Sequence, residues 1–188
     1  MGNKPRPEHE NIERITAAAW QLFQQKGYRG VTVDEICQRC GVTKPTLYYY
    51  FHDKEELFVT VLRQQLERFR GVLQGPGSTG ERLQRLAAAV LDNFQAEYTV
   101  LMRDREHIRR PENQQAVREA FRGCLFNPLA ALMEAGLQGG ELRGRSAEML
   151  ALVFLGMVNN FIHRAAAPEN AELAAELSRL FLEGASNK

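Results

Sequence analysis

The segment 43–50 concentrates hydrogen-bond donors on one side of a very short predicted helix. Leu47 and Phe51 lie four residues apart and are predicted to face inward, so the polar side chains of the segment point outward. Hydroxyls and phenols donate well to phosphate oxygens, and residues at a helix N-terminus reach the edges of bases. The pattern therefore predicts a nucleic-acid-binding surface in which Tyr49 packs inward. The side chains predicted to face the nucleic acid are Thr43, Lys44, Thr46, Tyr48 and Tyr50.

Cys37 and Cys40 form a C-x-x-C pair, a second group with chemical potential in this region. A structural zinc site needs further ligands nearby, and the sequence contains no second pair. Both cysteines fall on the apolar stripe of Val33 and Ile36, so they are predicted to be small buried hydrophobes. The sequence has no nucleophile motif such as G-x-S-x-G and no phosphate-binding glycine loop. We therefore predict no enzyme activity, no cofactor and no metal site.

The 188 residues are 44% hydrophobic and 25% charged, the balance of a globular protein of one or two domains. Three cysteines are too few for a disulfide scaffold, and no cationic start precedes an apolar run, so a reducing, cytoplasmic location is predicted. The longest apolar run, residues 149–158, has about half the length that a membrane helix needs. Lysine and arginine number 24 against 23 acidic residues, so nucleic-acid binding must be argued from the motif.

Apolar residues recur at helical spacing along almost the whole chain, and no stretch alternates as a strand does. Three predicted helix starts carry a capping residue three positions before a glutamate: Thr32 before Glu35, Asp53 before Glu56, and Ser78 before Glu81. These signals predict an all-α fold. Gly139 and Gly140 predict a helix end, and Pro128 predicts a kink in a helix near 113–136.

The glycine-rich stretch 75–80 is the most obvious linker. We predict a three-helix domain over residues 1–53, a connecting helix over about 53–74, and a larger helical domain within 54–188. In the first domain one helix ends at Gly41, and the next begins at Thr43 with Pro45 in its first turn. This is the layout of a helix-turn-helix, whose second helix lies in the DNA major groove.

The segment GYRGVTVDEICQRCGVTKPTLYYYFHDKEELF resembles the DNA-binding domain of the TetR (tetracycline-repressor-like) family of bacterial regulators. The positions that carry the resemblance are Phe23, Gly27, Tyr28, Thr32, Ile36, Gly41, Val42, Thr46, Leu47, Tyr48, Phe51 and Lys54. The resemblance implies the following contacts: phosphate by Thr32 and Lys54, bases by Lys44 and Pro45 with Thr43 beside them, and backbone by Thr46, Tyr48 and Tyr50. Some members also read a base with an arginine early in the first motif helix. This chain has Val33 and Asp34 there, which cannot donate to guanine.

Residues 149–158 are apolar on every face of a helix, so they need cover on every face. With the last helix they predict a two-helix dimerisation face, and two copies would make a four-helix bundle, as the resemblance also implies. The predicted dimerisation residues are Leu150, Phe154, Met157, Leu173, Leu177, Leu180 and Phe181.

The C-terminal domain also carries more bulky apolar residues than its helical stripes need. A kink at Pro128 would keep neighbouring helices from packing flush and open a largely apolar pocket. The effector-binding candidates are Phe94, Tyr98, Met102, Phe121, Asn159 and His163. The basic segment 103–110 is interpreted as a solvated turn, with an anion site as the alternative.

Together these patterns predict a homodimeric, ligand-responsive transcription factor with no role at the membrane. It is expected to repress transcription from a palindromic double-stranded DNA operator and to be released by a small apolar or amphipathic effector. The alternative is a helical small-molecule binding protein with no role at DNA.

Overall fold

Several helices of the protein begin or end at the capping and glycine signals of its sequence. The computed structural model describes residues 7–93, 107–162 and 169–185. Within these ranges the regular structure is helical, without a β-strand, which confirms the all-α prediction. The helices are α1 (Pro7–Gly30), α2 (Val33–Cys40), α3 (Lys44–Tyr50), α4 (Lys54–Gln74), α5 (Thr79–Asn93), α6 (Pro111–Phe121), α7 (Asn127–Gln138), α8 (Ala147–Asn159) and α9 (Asn170–Ala185).

Local caps set the ends of α2 and α3. Thr32 accepts a hydrogen bond from the Glu35 N–H, and the Glu35 carboxylate accepts one from the Thr32 N–H, so the predicted capping box is complete. Gly41 ends α2 with a φ of 67°, a left-handed conformation that costs little without a Cβ. Thr43 caps α3, and Pro45 lies in its first turn. The predicted helix-turn-helix is therefore present.

The two other predicted capping boxes differ in completeness. Ser78 and Glu81 exchange both hydrogen bonds ahead of α5. Asp53 accepts from the Glu56 N–H at 2.9 Å, but the Glu56 carboxylate accepts from the His52 N–H. The capping box of Asp53 and Glu56 is thus half formed, because the Glu56 carboxylate bonds the N–H of His52 instead of that of Asp53.

One compact unit comprises residues 7–64 and 107–117 of the described chain. The rings of Phe23 and Phe58 meet edge to face with centroids 5.2 Å apart, and the Tyr28 ring lies 5.0 Å from Phe58. These contacts join α1 to the start of α4. Other core residues of this unit are Ile15, Ala19, Ile36, Cys37, Leu47, Phe51 and Leu57. The inward side chains of α2 and α3 thereby anchor the helix-turn-helix.

The second compact unit comprises residues 65–93, 118–162 and 169–185 of the described chain. In it α5 packs along α9, and α7 packs along α8. Phe154 of α8 and Phe181 of α9 stack edge to face at 5.1 Å. α4 and α6 each begin in the first unit and end in the second. The functional division into 1–53 and 54–188 stays a prediction.

The helical run that contains Pro128 is continuous but irregular. α6 passes through a π-helical turn, Arg122–Phe126, into α7, and the Asn127 N–H bonds to the carbonyl oxygen of Arg122. Proline has no N–H to bond four residues back, and the wider turn lies directly before it. Pro128 therefore does not end the run, and α7 continues to the predicted stop at Gly139.

Across the described ranges, none of the helices combines the length and apolar character that a membrane crossing requires.

Candidate nucleic-acid interface

The N-terminal end of α3 is fixed by its cap and by its inward leucine. Thr43 Oγ accepts a hydrogen bond from the Thr46 N–H at 3.3 Å and lies 2.8 Å from the Thr46 hydroxyl. Leu47 is fully buried, which leaves the opposite side of this seven-residue helix in solvent. Thr43, Lys44 and Pro45 are exposed, and Thr46 is half-buried. The residues predicted to read bases therefore lie at an accessible helix end.

The three tyrosines of α3 have different surroundings. Tyr48 is 46% exposed and Tyr49 is 74% exposed. The prediction that Tyr49 packs inward is wrong. Tyr49 follows the buried Leu47 by two residues, a rotation of about 200° around a helix, so the two side chains lie on opposite sides. This spacing would have predicted the exposure of Tyr49 from the sequence. Tyr50 is half-buried, its ring contacts Tyr49 edge-on at 5.0 Å, and its hydroxyl accepts from Asn11 Nδ2 at 3.5 Å.

An ion pair between α2 and α3 lies beside this accessible end. Lys44 Nζ is 2.9 Å from Asp34 Oδ1, and the two side chains are 50% and 73% exposed. Asp34 belongs to the first turn of α2. The hydrogen bond to Asp34, together with its negative charge, raises the pKa of Lys44. The ammonium predicted to read a base is therefore charged at neutral pH and paired with an acid of the preceding helix.

Thr32 is exposed, and its hydroxyl is engaged at the start of α2. The Thr32 hydroxyl donates to Glu35 Oε2 at 2.9 Å and accepts from the Glu35 N–H at 3.2 Å. Lys26 pairs with the same carboxylate. The hydrogen bond from Lys26 and those from Thr32 lower the pKa of Glu35 to about 2. The Glu35 carboxylate of the capping box is therefore ionised at neutral pH. A phosphate contact by Thr32 stays a prediction.

Lys54 has internal partners where the sequence predicts a phosphate contact. Its Nζ donates to the carbonyl oxygens of Tyr28 and Val31, each at 2.8 Å. The same ammonium lies 4.4 Å from the centre of the Tyr28 ring. Lys54 thus ties the start of α4 to the end of α1 and to Val31 beyond it. We infer a structural role from these bonds, and the phosphate contact predicted from the sequence is left to experiment. The sequence does not reveal this role, because the partners lie 26 and 23 residues away along the chain.

The buried carboxylate of Glu55 holds the segment that leads into α6. It accepts hydrogen bonds from the N–H groups of Arg109 and Arg110, each at 3.1 Å, and from Asn113 Nδ2 at 2.8 Å. The Arg110 guanidinium also donates to both oxygens of Asp53, at 2.8 and 2.7 Å. Burial alone raises the pKa of Glu55, but the hydrogen bonds outweigh burial and hold it below its ordinary value. The sequence does not reveal this contact, because the carboxylate and its partners lie more than 50 residues apart along the chain.

The basic segment 103–110 is described from residue 107 onward, so Arg103 and Arg105 lie outside the described residues. Arg110 is paired with Asp53. A cleft of about 670 Å³ in the first unit is lined by Tyr28, Arg29, Asp53, Lys54, Glu55, His107 and Arg109. This cleft is lined by both acidic and basic side chains. The solvated turn stays the prediction for the segment, with an anion site as the alternative.

Cys37 and Cys40 are buried free thiols, as predicted. Burial raises the pKa of Cys37, so its thiol is protonated at neutral pH. In the described ranges no group of three or more His, Cys, Asp or Glu side chains is arranged to hold a metal ion.

The predicted dimerisation residues divide between core and surface. Those buried within a single chain are Leu150, Phe154, Leu177 and Phe181. A side chain that is buried within its own chain has no surface left for contact with a second copy. These four residues are therefore core residues and not the dimerisation residues that the sequence predicts. Met157 and Leu173 are half-buried, and Leu180 is 48% exposed.

An apolar stripe on α8 faces solvent on the single chain. Met149, Leu152 and Val153 are 41%, 61% and 52% exposed. Gly156 is exposed one turn further on, with open space where a Cβ would lie. The spacing i, i+3, i+4, i+7 puts these four residues on one face, which we call the α8 stripe.

The predicted effector residues are only partly described. Phe94, Tyr98, Met102 and His163 lie outside the described residues. Phe121 is half-buried at the end of α6, and Asn159 is exposed at the end of α8. The effector site therefore stays a prediction.

Comparisons with known proteins agree with the fold and with the motif. The family model for bacterial regulatory proteins of the tetR family matches residues 15–61. The HTH-type transcriptional activator FasR of Mycolicibacterium smegmatis is 30% identical over 156 residues, which cover 78% of this chain and 70% of FasR. Salmonella enterica GusR superposes with a TM-score of 0.78 at 22% identity, covering 97% of this chain and 98% of GusR. Bacillus subtilis FadR, solved in complex with stearoyl-CoA, gives a TM-score of 0.69 at 20% identity, covering 92% of this chain and 98% of FadR.

Proposed function

This chain belongs to the TetR family of bacterial transcriptional regulators, and we propose that it binds a palindromic operator as a homodimer and represses transcription until a small effector releases it. The observation that carries the proposal is the accessible side of α3. There Thr43, Lys44, Tyr48 and Tyr49 are exposed, and Leu47 anchors the helix from behind.

The exposed groups of α3 match the acceptors that DNA offers. Hydroxyls and phenols donate to phosphate oxygens and fix the register, so we assign backbone contacts to Thr46, Tyr48 and Tyr50, and we add the exposed Tyr49. The Lys44 ammonium suits guanine O6 and N7, so we assign base reading to Lys44 with Pro45 beside it. The formal net charge is only +1, so placed groups rather than bulk charge must supply the affinity.

We propose that two copies meet through the α8 stripe. Its exposed apolar side chains gain about 25 cal/mol for each Å² removed from water. Gly156 has no side chain to keep a partner helix at a distance, and the exposed Leu180 of α9 adds a second contact. A two-fold dimer requires half-sites related by the same symmetry, which is why the operator is expected to be palindromic.

The proposed effector is an apolar or amphipathic molecule held in the C-terminal domain. α4 runs from Lys54 in the first compact unit to Gln74 in the second, so a ligand that displaces its C-terminal half also moves its N-terminal half. The π-helical turn Arg122–Phe126 interrupts the α-helical hydrogen bonding of the second unit, and such turns often lie at functional sites. Stearoyl-CoA, the amphipathic molecule in the FadR complex, is therefore the first probe to test.

Repression is the proposed direction of control, because a dimer on its operator excludes other proteins from the same DNA. We propose the cytoplasm as the location, since bacterial DNA lies there. FasR carries the name of a transcriptional activator, which makes activation the opposing outcome. Transcription in vitro from a template with the selected operator should fall when the protein is added. A rise would reverse the assignment.

Selection from a random pool of duplex DNA tests the proposal. The full chain should recover a palindromic site with half-sites about 34–36 Å apart or somewhat more, and two chains should occupy each duplex. Recovery of an asymmetric half-site bound by one chain would contradict the dimer. A chain that binds stearoyl-CoA but selects no DNA sequence would be the alternative, a helical small-molecule binding protein.

The effector part is tested by titrating stearoyl-CoA into the DNA complex. Coupling is reciprocal, so an effector that weakens DNA binding tenfold must itself bind the complex tenfold more weakly, or about 1.4 kcal/mol. Tight binding of stearoyl-CoA with no change in DNA affinity would refute release by this class of ligand and leave the DNA-binding part intact.

A further inference from the structure

We propose that the ion pair of Asp34 and Lys44 reads one G·C base pair of the operator, with Lys44 on the guanine and Asp34 on the cytosine. The inference rests on the proposed function, since it needs α3 in the major groove. It adds a second specificity-determining residue, from α2, to the single base-reading lysine of α3.

Both members of the pair keep bonding capacity that faces solvent. Lys44 Nζ lies 2.9 Å from Asp34 Oδ1, with the side chains 50% and 73% exposed. An ammonium has three hydrogens, so two remain after the bond to Asp34. The carboxylate of Asp34 is bonded to Lys44 through Oδ1, and its side chain is mostly exposed, so it can still accept a hydrogen bond from a ligand. The pair therefore presents a donor and an acceptor side by side.

The major-groove edge of a G·C pair presents the complementary pattern. Guanine offers N7 and O6 as acceptors, and the cytosine N4 amino group beside them is a donor. O6 and N4 are joined by one Watson–Crick N–H···O hydrogen bond, so they lie about 2.9 Å apart. This matches the 2.9 Å between Lys44 Nζ and Asp34 Oδ1. The ammonium can thus bond O6 and N7 while the carboxylate accepts from N4.

Other base pairs fit this donor and acceptor less well. On an A·T pair the carboxylate can accept from adenine N6, but the ammonium over thymine O4 meets the methyl group instead of a second acceptor. On a C·G pair in the opposite orientation the carboxylate meets O6, an acceptor against an acceptor.

The charge of Asp34 also needs an explanation at a surface that binds a polyanion. A carboxylate near phosphates is repelled unless a cation neutralises it and a donor faces it. Lys44 supplies the cation, and the cytosine amino group would supply the donor. Asp34 is not part of the capping box of α2, which Thr32 and Glu35 form, so its replacement leaves the cap in place.

The test uses a modified base in the selected operator. The position is the G·C pair whose preference the Lys44→Ala variant relaxes. At that pair the cytosine is replaced by N4-methylcytosine, whose paired form puts a methyl group where Asp34 would accept a hydrogen. Binding is measured by fluorescence anisotropy at fixed salt for the wild-type chain, for Asp34→Ala, and for the control Glu112→Gln. Glu112 is an exposed acid of the same compact unit outside the helix-turn-helix.

We expect methylation to weaken binding of the wild type and of Glu112→Gln about tenfold or more, and of Asp34→Ala less than twofold. Asp34→Asn should shift the preferred pair toward A·T, because an amide suits adenine N6 and N7. Equal losses for wild type and Asp34→Ala would overturn the inference, as would an unchanged preference in Asp34→Ala. A wild-type chain that selects no sequence would overturn the proposed function first. A wild-type chain that selects a site without this G·C pair would overturn the inference alone.

Discussion

Replacing Lys54 by methionine removes the ammonium and keeps an unbranched stem of similar length. The ammonium donates to the carbonyl oxygens of Tyr28 and Val31 at 2.8 Å each and lies over the Tyr28 ring. A hydrogen bond to a charged group contributes about 1.5–3 kcal/mol, and a cation–π contact at an exposed site about 0.5–1 kcal/mol. Because Lys54 is half-buried, water can bond the two carbonyl oxygens once the ammonium is removed. We therefore expect the free energy of unfolding to fall by about 2 kcal/mol.

Urea unfolding of the wild type and Lys54→Met, followed by circular dichroism, measures this loss directly. In a chain of 188 residues it corresponds to a fall in Tm of about 4–8 °C. DNA binding as a function of salt is the second readout. A lysine that contacts phosphate contributes about 0.9 to the slope of log K against log salt, and we expect Lys54→Met to leave that slope unchanged.

Lys44→Met is the matched control, because it makes the same change at a lysine whose ion pair is exposed. An exposed pair contributes about 0–1 kcal/mol, so this variant should keep its stability and lose operator preference. If Lys54→Met keeps the stability of the wild type and shows a reduced salt slope, the structural role of Lys54 is refuted. That result would support the phosphate contact predicted from the sequence.

Glu55→Ala leaves two backbone N–H groups without their carboxylate, and we expect a loss of about 3 kcal/mol in the free energy of unfolding. Because the pKa of Glu55 is lowered from 4.5 on folding, that difference should be full at pH 7 and shrink as the pH falls below about 4.5. A constant difference down to pH 3 in urea titrations would contradict this. Leu152→Glu should give a folded monomer by sedimentation, whereas Leu177→Glu charges a buried core position and should unfold the chain. A dimeric Leu152→Glu protein would exclude the α8 stripe. Tyr48→Phe should weaken binding to all duplexes about fivefold, or about 1 kcal/mol, without changing the preferred sequence. A changed preference in gel shifts would assign Tyr48 to base reading.

Features that depend on neighbours in the chain could be predicted from the sequence. The capping box at Thr32 and Glu35, the left-handed Gly41 and the start of α3 at Thr43 all involve residues within a few positions of each other. The apolar stripes predicted which side chains of these helices face inward, including Leu47 and the two buried cysteines. These local signals sufficed for the helix-turn-helix, because each of them indicated the same boundaries.

Features that depend on tertiary partners could not be predicted. Lys54 and Glu55 are adjacent charged residues on the first turn of α4, yet one bonds carbonyls near α1 and the other bonds amides before α6. On α8 every helical face is apolar, so periodicity could not distinguish the core residue Phe154 from the exposed Leu152. Sequence patterns identify helices, but only packing decides which side of an all-apolar helix is buried.

The central claim is that α3 binds a specific operator as part of a dimer. The most direct measurement compares the affinity for the selected operator with that for a scrambled duplex of equal length at about 150 mM salt, with the stoichiometry taken from the same titration. We expect a ratio of about 10³ or more and two chains per duplex. The same ratio should fall at least about fivefold in Lys44→Ala, which corresponds to about 1 kcal/mol or more. Equal affinity for the two duplexes, or an unchanged ratio in Lys44→Ala, would contradict the claim.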